Sequence, residues 1–226
     1  MKHWSIFCWV IFFNTYLSAD DSYPLIKRAA DLFQKEKLEI KTYKVTQDVT
    51  STIKENKTTI VEQRIQTGYF KSPEEYIFIT KELELNGIKQ ILTKPLVERT
   101  TKSEIDWLSK LGLTSHSFQL LSSDNKLTKY LVSPLKIQAG YYRGQIWINP
   151  QNAKIVKILK EPIIKKREMM KYSLELNFEM NYIYQMPSHT NLTAVYQKDN
   201  LYTEVKVDVN FKDYQFNIDL TKELPK

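Results

Sequence analysis

The last third of the chain alternates apolar and polar positions almost without interruption. Leu174, Leu176, Phe178, Met180 and Tyr182 fall on one face, and Glu175, Asn177, Glu179 and Asn181 on the other. The pattern returns with Val205, Val207, Val209 and Phe211 set against Glu204, Lys206, Asp208 and Asn210. A period of two is that of a strand with one wet face and one covered face. Ser173 to Tyr184, Thr190 to Gln197 and Leu201 to Tyr214 therefore read as a closing antiparallel meander, with Lys198-Asp199-Asn200 as its last tight turn.

Upstream the period changes twice. Tyr23 to Phe33 has apolar residues at helical spacing (Leu25, Ile26, Ala29, Ala30, Leu32, Phe33), with Asp21 or Ser22 as a cap and Pro24 in the first turn. Lys41 to Thr52 returns to period two, with Tyr43, Val45 and Val49 on one face, and Glu55-Asn56-Lys57 turns it into a partner strand from Thr58 to Phe70. After Ser72-Pro73, Tyr76 to Thr80 begins a further strand. Asn86-Gly87 is a strong two-residue hairpin signal, followed by Ile88 to Thr93 and a stop at Pro95. Between Thr100 and Leu121 helical spacing takes over: Ile105, Trp107, Leu108 and Leu111 share a face, Gly112 ends it, and Phe118, Leu120 and Leu121 extend the apolar stretch. Leu127 to Leu131 and the hairpin Gln145–Ile148, Asn149-Pro150-Gln151-Asn152, Lys154–Leu159 complete the chain.

These elements predict an α+β fold: a curled antiparallel β-sheet of about ten or eleven strands, a half-barrel, because so long a sheet curls. Helices are expected on its concave side. No repeat or linker interrupts residues 20–226, which read as a single domain.

The N-terminus says where this domain works. Lys2 and His3 precede an apolar run from Trp4 to Phe13, broken only by Ser5, and a polar stretch ends at Ser18-Ala19 before Asp20-Asp21. Residues 1–19 have the form of a secretory signal peptide cut near Ala19. The run is shorter than the ~20 apolar residues a membrane span needs. Cys8, the only cysteine, lies inside it, so the exported chain is expected to carry no disulfide, thiol nucleophile or cysteine metal site. Export without disulfides suits a bacterial periplasm at least as well as a eukaryotic secretory route. The formal net charge of +7 drops to +6 when Lys2 leaves with the signal. The charges are dispersed, Lys165-Lys166-Arg167 being the densest run, and export argues against a nucleic-acid partner.

Catalytic chemistry has few candidates. His116 and His189 lie on separate segments with no ligand-spaced partner, so no metal is expected. There is no Gly-x-Ser-x-Gly and no phosphate loop, and the chain has only 5 glycines. No catalytic residue and no cofactor are expected, and the enzyme class is set aside. An apolar binding cavity is the alternative, because such sites need aromatic and aliphatic walls with few polar atoms. The candidate walls are Phe70, Tyr76, Phe78, Ile91, Trp107, Leu108, Leu111, Phe178, Met180 and Tyr182, with Met169 and Met170 as adaptable neighbours. The alternative for each is ordinary core. Trp147 cannot be placed, because its strand is apolar on both faces.

Five segments in order carry a family resemblance. Gln66-Thr67-Gly68-Tyr69-Phe70-Lys71-Ser72-Pro73, then Asn86-Gly87-Ile88-Lys89-Gln90-Ile91-Leu92-Thr93-Lys94-Pro95, resemble the periplasmic lipoprotein carriers of the LolA type. Gly144-Gln145-Ile146-Trp147-Ile148-Asn149 resembles the Gly-x-x-Trp-Ile-Asp strand of the wider outer-membrane lipoprotein-sorting group, and Tyr184-Gln185-Met186-Pro187 with Phe211-Lys212-Asp213-Tyr214 fits the same group. The resemblance implies a half-open barrel that holds acyl chains and moves acylated protein or phospholipid toward the outer membrane. It implies inner- and outer-membrane partner proteins and a monomeric carrier, or alternatively a lipid- or lipoprotein-sensing module that signals to a membrane partner. The chain departs from the family at Ser72, where the carriers have an arginine, and at Asn86 and Asn149, where the group has aspartates. The asparagines keep the turn chemistry.

Overall fold

The computed structural model describes residues 23–72, 75–101, 106–165, 167–179 and 183–224. The signal-peptide reading therefore falls outside the described residues, as do the candidate walls Met180 and Tyr182. One helix, α1 (Tyr23–Glu39), precedes a long hairpin of β1 (Thr42–Glu55) and β2 (Thr58–Lys71). There follow β3 (Glu75–Leu85), β4 (Ile88–Lys89), β5 (Leu96–Thr101), the short helix α2 (Lys110–Ser115), β6 (His116–Ser123) and β7 (Thr128–Pro134). The chain closes with β8 (Tyr142–Ile148), β9 (Ile155–Pro162), β10 (Met169–Phe178), β11 (Pro187–Lys198), β12 (Leu201–Phe216) and a 3-10 turn, Leu220–Lys222.

All the strands join one open, curled 12-stranded sheet in the order β4-β3-β2-β1-β12-β11-β10-β9-β8-β7-β6, with β5 on the free side of β3. The expected half-barrel is thus present, one strand longer than the upper end of the expected range. Every ladder is antiparallel, so each turn needs only local chemistry. Asn56, Asn86 and Asp199 adopt φ of 48°, 49° and 51°, and Gly87 adopts 81°, which the tight hairpin turns require. The first and last long strands meet at the centre of the sheet, where Val49 faces Val209 and Ser51 faces Val207. That ladder closes the fold, because residues far apart in sequence must pair before the concave face exists.

The two alternating runs point the same way. Leu174 opposes Leu192, which opposes Val207, and Leu176 opposes Thr190, which opposes Val209. Direct partners in a ladder share a face. On the opposite, convex face Lys157 bonds Glu175 at 2.8 Å, and His189 Nε2 donates to Asp208 Oδ2 at 2.6 Å. Trp147 lies on this convex face, with the ammonium groups of Lys129 and Lys157 at 5.0 and 5.5 Å from its ring centre. Gly144 in that strand has no room for a side chain, because a Cβ there would stand 2.0 Å from the Leu159 carbonyl oxygen.

The main core lies between α1 and the β7–β9 end of the sheet. Ile26, Ala29 and Ala30 pack with Trp107, Leu108, Tyr130, Val132, Ile146 and Ile148. Full burial of each large aliphatic there contributes roughly 1.5–3 kcal/mol. A second cluster lies on the convex side, where Leu220 covers Tyr69, Ile77 and Ile79 and buries both faces of the β2–β3 edge.

Three sequence expectations are corrected. The central helix starts at Lys110, not near Ile105, because Ser109 caps it, its Oγ accepting from the Gly112 N–H at 3.0 Å. Gly112 lies inside that helix, where a Cβ would fall 2.1 Å from the Asp106 carbonyl oxygen. Phe118 to Leu121 do not extend a helix; they belong to the edge strand β6. The strand expected from Ile88 to Thr93 stops at Lys89, because β5 takes up the edge of β3 from Glu75 to Thr80. Ile91 is left 93% exposed.

Candidate functional site

The helix α1 decides where the concave face is filled and where it is open. Its buried stripe runs Ile26, Ala29, Ala30, Phe33, Glu36 and then Ile40 just beyond the helix, spaced as one helical face. Small side chains at Ala29 and Ala30 allow close approach to the sheet. One turn further on, Phe33, Glu36 and Ile40 occupy the stripe, and the helix no longer seals the sheet beneath it. A cavity of about 310 Å³ remains. Its floor comes from Ile155 and Ile158 on one side, Leu174, Leu176 and Phe178 in the middle, and Tyr43, Phe70 and Tyr76 on the other, with Met186 and Pro187 at one end. This lies at the lower end of the range for small-molecule sites, about 300–1,000 Å³. A larger depression of about 530 Å³ carries Arg64, Lys81, Glu82, Glu84 and Lys89 beside Val49, Ile65 and Leu83, so its walls are more highly charged than those of the chamber under α1.

A second concave chamber of about 190 Å³ adjoins the first and shares Tyr43, Tyr76 and Pro187 with it. Its walls include Val45, Gly68, Phe78, Phe211 and Tyr214. Gly68 matters here: a Cβ would meet Phe78 and Val45 at 3.2 Å and intrude on the chamber. The partition is an aromatic cluster. Tyr43 stacks on Phe70 with centroids 4.9 Å apart, Phe70 meets Tyr76 at 5.1 Å, and Tyr184 meets Phe216 edge-on at 4.9 Å. Such pairs contribute about 0.5–1.5 kcal/mol beyond burial. The Tyr214 hydroxyl donates to the Pro187 carbonyl at 2.8 Å and ties β12 to the start of β11. Burial, and then the neighbouring Tyr76 hydroxyl, push the Tyr43 phenol far above its ordinary range, so it stays neutral.

Polar groups gather at one side of the first chamber. Glu36 is only 7% exposed although it belongs to an amphipathic helix. Its Oε2 accepts the Gln185 backbone N–H at 2.8 Å, while Gln185 Oε1 accepts from the Ile155 N–H at 2.6 Å. The buried Gln185 Nε2 lies beside the Glu36 carboxyl without meeting hydrogen-bond geometry to any acceptor. Burial raises the Glu36 pKa above the usual carboxylate value; the Gln185 backbone bond and then Lys154 work against it. At the rim, Lys37 and Asp106 pair at 3.5 Å. Lys160, also on the wall, lies 5.1 Å from the Tyr142 ring centre.

Of the candidate walls, Phe70, Tyr76 and Phe178 line the first chamber, and Tyr76 and Phe78 line the second. Trp107 and Leu108 are buried in the filled core, where they support α1 and touch neither chamber. Leu111 is 56% exposed on the outer side of its short helix, and Ile91 is on the surface, so neither is a wall. Of the adaptable methionines, Met170 is exposed. Lys71, which precedes Ser72, points to the convex side with Glu75 and Arg99. Sequence reasoning missed Tyr43, Ile155, Ile158, Met186 and Glu36. For Glu36 a signal existed: a carboxylate on the continued apolar stripe of α1.

No protein-family model and no curated protein matches the chain. Among solved structures, it resembles a LolA superfamily protein from Nitrosomonas europaea, at 13% identity over 90% of this chain and 97% of that one, with a TM-score of 0.43. It also resembles a domain from Vibrio parahaemolyticus described as an outer membrane lipoprotein-sorting protein, at 12% identity over 86% and 94%, TM-score 0.43. A Pseudomonas aeruginosa MucA/MucB complex matches at 7% identity over 86% and 99%, with a TM-score of 0.26.

Proposed function

We propose that this protein is an exported, non-enzymatic binding protein that shelters acyl chains of lipids or lipoproteins and carries them across the periplasm. The observation that supports this most is the pair of adjoining chambers on the concave face, walled by Phe70, Tyr76, Leu174, Leu176 and Phe178. Each methylene withdrawn from water contributes ~0.8 kcal/mol, so even part of an acyl chain in the chambers yields useful affinity. Tyr43 and Tyr76 stand between the chambers, and an occupying chain displaces or threads past them. Release then needs a receiving partner with higher affinity or movement of α1, whose Phe33 and Glu36 wall the first chamber. No described helix is long and apolar enough to cross a membrane.

The test is extraction and displacement. The exported chain is purified from its native envelope, its bound lipids are identified by mass spectrometry, and a fluorescent acyl probe is titrated. Phe178→Asp is expected to weaken probe binding at least tenfold, while Leu111→Asp, on the exposed side of α2, leaves it unchanged. Equal binding by folded Phe178→Asp protein, together with a lipid-free extract, overturns the carrier reading. Recovery of one membrane protein in a pull-down, with no acylated cargo, favours a sensing module instead.

A further inference from the structure

Building on the acyl-binding reading of the concave chambers, we propose that Glu36 makes the site selective for acylated molecules whose head carries a primary ammonium group, as an ethanolamine phospholipid does. The inference starts from an inconsistency on α1. Its buried stripe is apolar from Ile26 to Phe33 and again at Ile40, yet Glu36 interrupts it inside the chamber wall. Burying a carboxylate is costly unless donors or a counter-charge meet it. Glu36 receives the backbone N–H of Gln185 at 2.8 Å. The Gln185 side-chain amide lies beside it and Lys154 acts on it through its charge; a carboxylate has about four acceptor positions, so these still leave capacity for a ligand.

The surrounding charges give the head its shape. Lys37 and Asp106 are paired with each other at the rim at 3.5 Å, and among the described residues the remaining charged walls of this chamber are Glu36 and Lys160. One anion and one cation on the same apolar chamber match a zwitterionic head, with ammonium toward Glu36 and phosphate toward Lys160. When an acyl chain fills the chamber, a head without a donor leaves Glu36 with only the Gln185 amides and the Lys154 charge to offset its burial. Leaving one charged partner unmet is the main way a buried site rejects a near-identical ligand. A glycerol-headed lipid and a free fatty acid both lack the ammonium; the fatty acid also brings a second carboxylate. A primary ammonium can belong to a phospholipid or to the free N-terminus of an acylated peptide, and the experiment separates these two.

The experiment is a fluorescence titration of the exported chain with lipids labelled on the acyl chain. The heads are phosphatidylethanolamine, its N-acetyl derivative, phosphatidylglycerol and free fatty acid. A diacylated peptide with a free or an acetylated N-terminus completes the set. The expected result is a preference of roughly tenfold or more for the free-amine head over its acetylated form, the size of one charge-assisted contact. Glu36→Gln abolishes the preference, with phosphatidylglycerol bound no more weakly than by the wild-type chain, and Glu36→Asp retains part of it. Preference within the phospholipid pair or within the peptide pair names the source of the amine. A purely structural Glu36, tying α1 to Gln185, instead predicts equal loss for every head, and that result overturns the proposal. Equal binding of all heads by the wild-type chain overturns it too, while leaving the acyl-binding reading intact. Failure of every probe to bind removes both.

Discussion

The two ends of the concave face are made from the same alternating strands under the same helix, yet one is filled and the other hollow. At the filled end, Ala29 and Ala30 bring α1 down onto Tyr130, Val132, Ile146 and Ile148, and Trp107 and Leu108 close the flank. At the hollow end, Phe33 and Glu36 hold the helix over Leu174, Leu176 and Phe178, and a 310 Å³ space remains. Polar atoms divide the same way: the filled core is built of apolar side chains and the Tyr130 ring, whereas the hollow end places Glu36, Gln185 and Lys160 around an apolar floor. The lesson is that helix side-chain size, not strand pattern, separates structural core from binding surface here.

The sharpest way to break this comparison is large-to-small substitution at each end. Ile146→Ala is expected to cost about 2–5 kcal/mol of unfolding free energy in urea, because the packed surroundings collapse little around the void. Leu176→Ala, beside space that already exists, is expected to cost less than about 2 kcal/mol. Similar losses at both sites mean that the hollow end is as tightly packed as the filled one. The reverse change sharpens the contrast. Ala30→Leu forces the helix off the sheet and is expected to cost about 1–3 kcal/mol. Leu176→Phe fills existing space, costs below about 1.5 kcal/mol, and lowers acyl-probe affinity because it occupies the chamber.

A smaller effect distinguishes the ends by pH. His116 flanks the filled end, stacked on Tyr141 with centroids 5.5 Å apart, and its Nδ1 lies 3.1 Å from the Gly112 carbonyl. Burial, the largest influence, holds its pKa below the ordinary 6.5, against the backbone bonds to Gly112 and Tyr142. Below pH 6.5 the unfolded chain therefore binds a proton that the folded chain refuses, and stability falls as pH falls until the folded pKa is passed. Glu36 acts in the opposite sense: its raised pKa makes the folded chain the better proton binder, so its contribution falls as pH rises from the ordinary 4.5 to the folded value. The expected outcome is a urea midpoint that declines from pH 7.5 to 5.5, with the decline reduced in His116→Gln. An identical decline in that variant assigns the pH dependence to other groups.

Much of the fold was legible because strand signals are local. The asparagine turns, the Gln145–Leu159 hairpin and the last two strands lie close to where alternation and turn residues put them, since period two and positive φ need only near neighbours, whereas the strand expected from Ser173 to Tyr184 runs from Met169 to Phe178. The central insert was less legible: Ile105, Trp107, Leu108 and Leu111 have helical spacing, but Ser109 supplies the cap and the chain turns before the helix begins. Strand β5 was missed because Leu96 to Thr101 alternates weakly and earns its place only by pairing with β3. Of the candidate walls, Phe70, Tyr76, Phe78 and Phe178 line the concave chambers as their strand faces suggest, while Ile91 and Leu111 lie exposed because apolar character alone does not reveal which residues the tertiary fold covers.

By itself the sequence determined the antiparallel strands, their turns, the apolar face of the last three strands and the helix that covers it. Only the tertiary structure decided that Trp147 faces outward between two lysines, that Trp107 belongs to the filled core, and that Glu36 enters a chamber wall. The reason is geometric. A strand's two faces follow from its own backbone, but a cavity is the mismatch between two surfaces, and that mismatch exists only once α1 lies on the completed sheet.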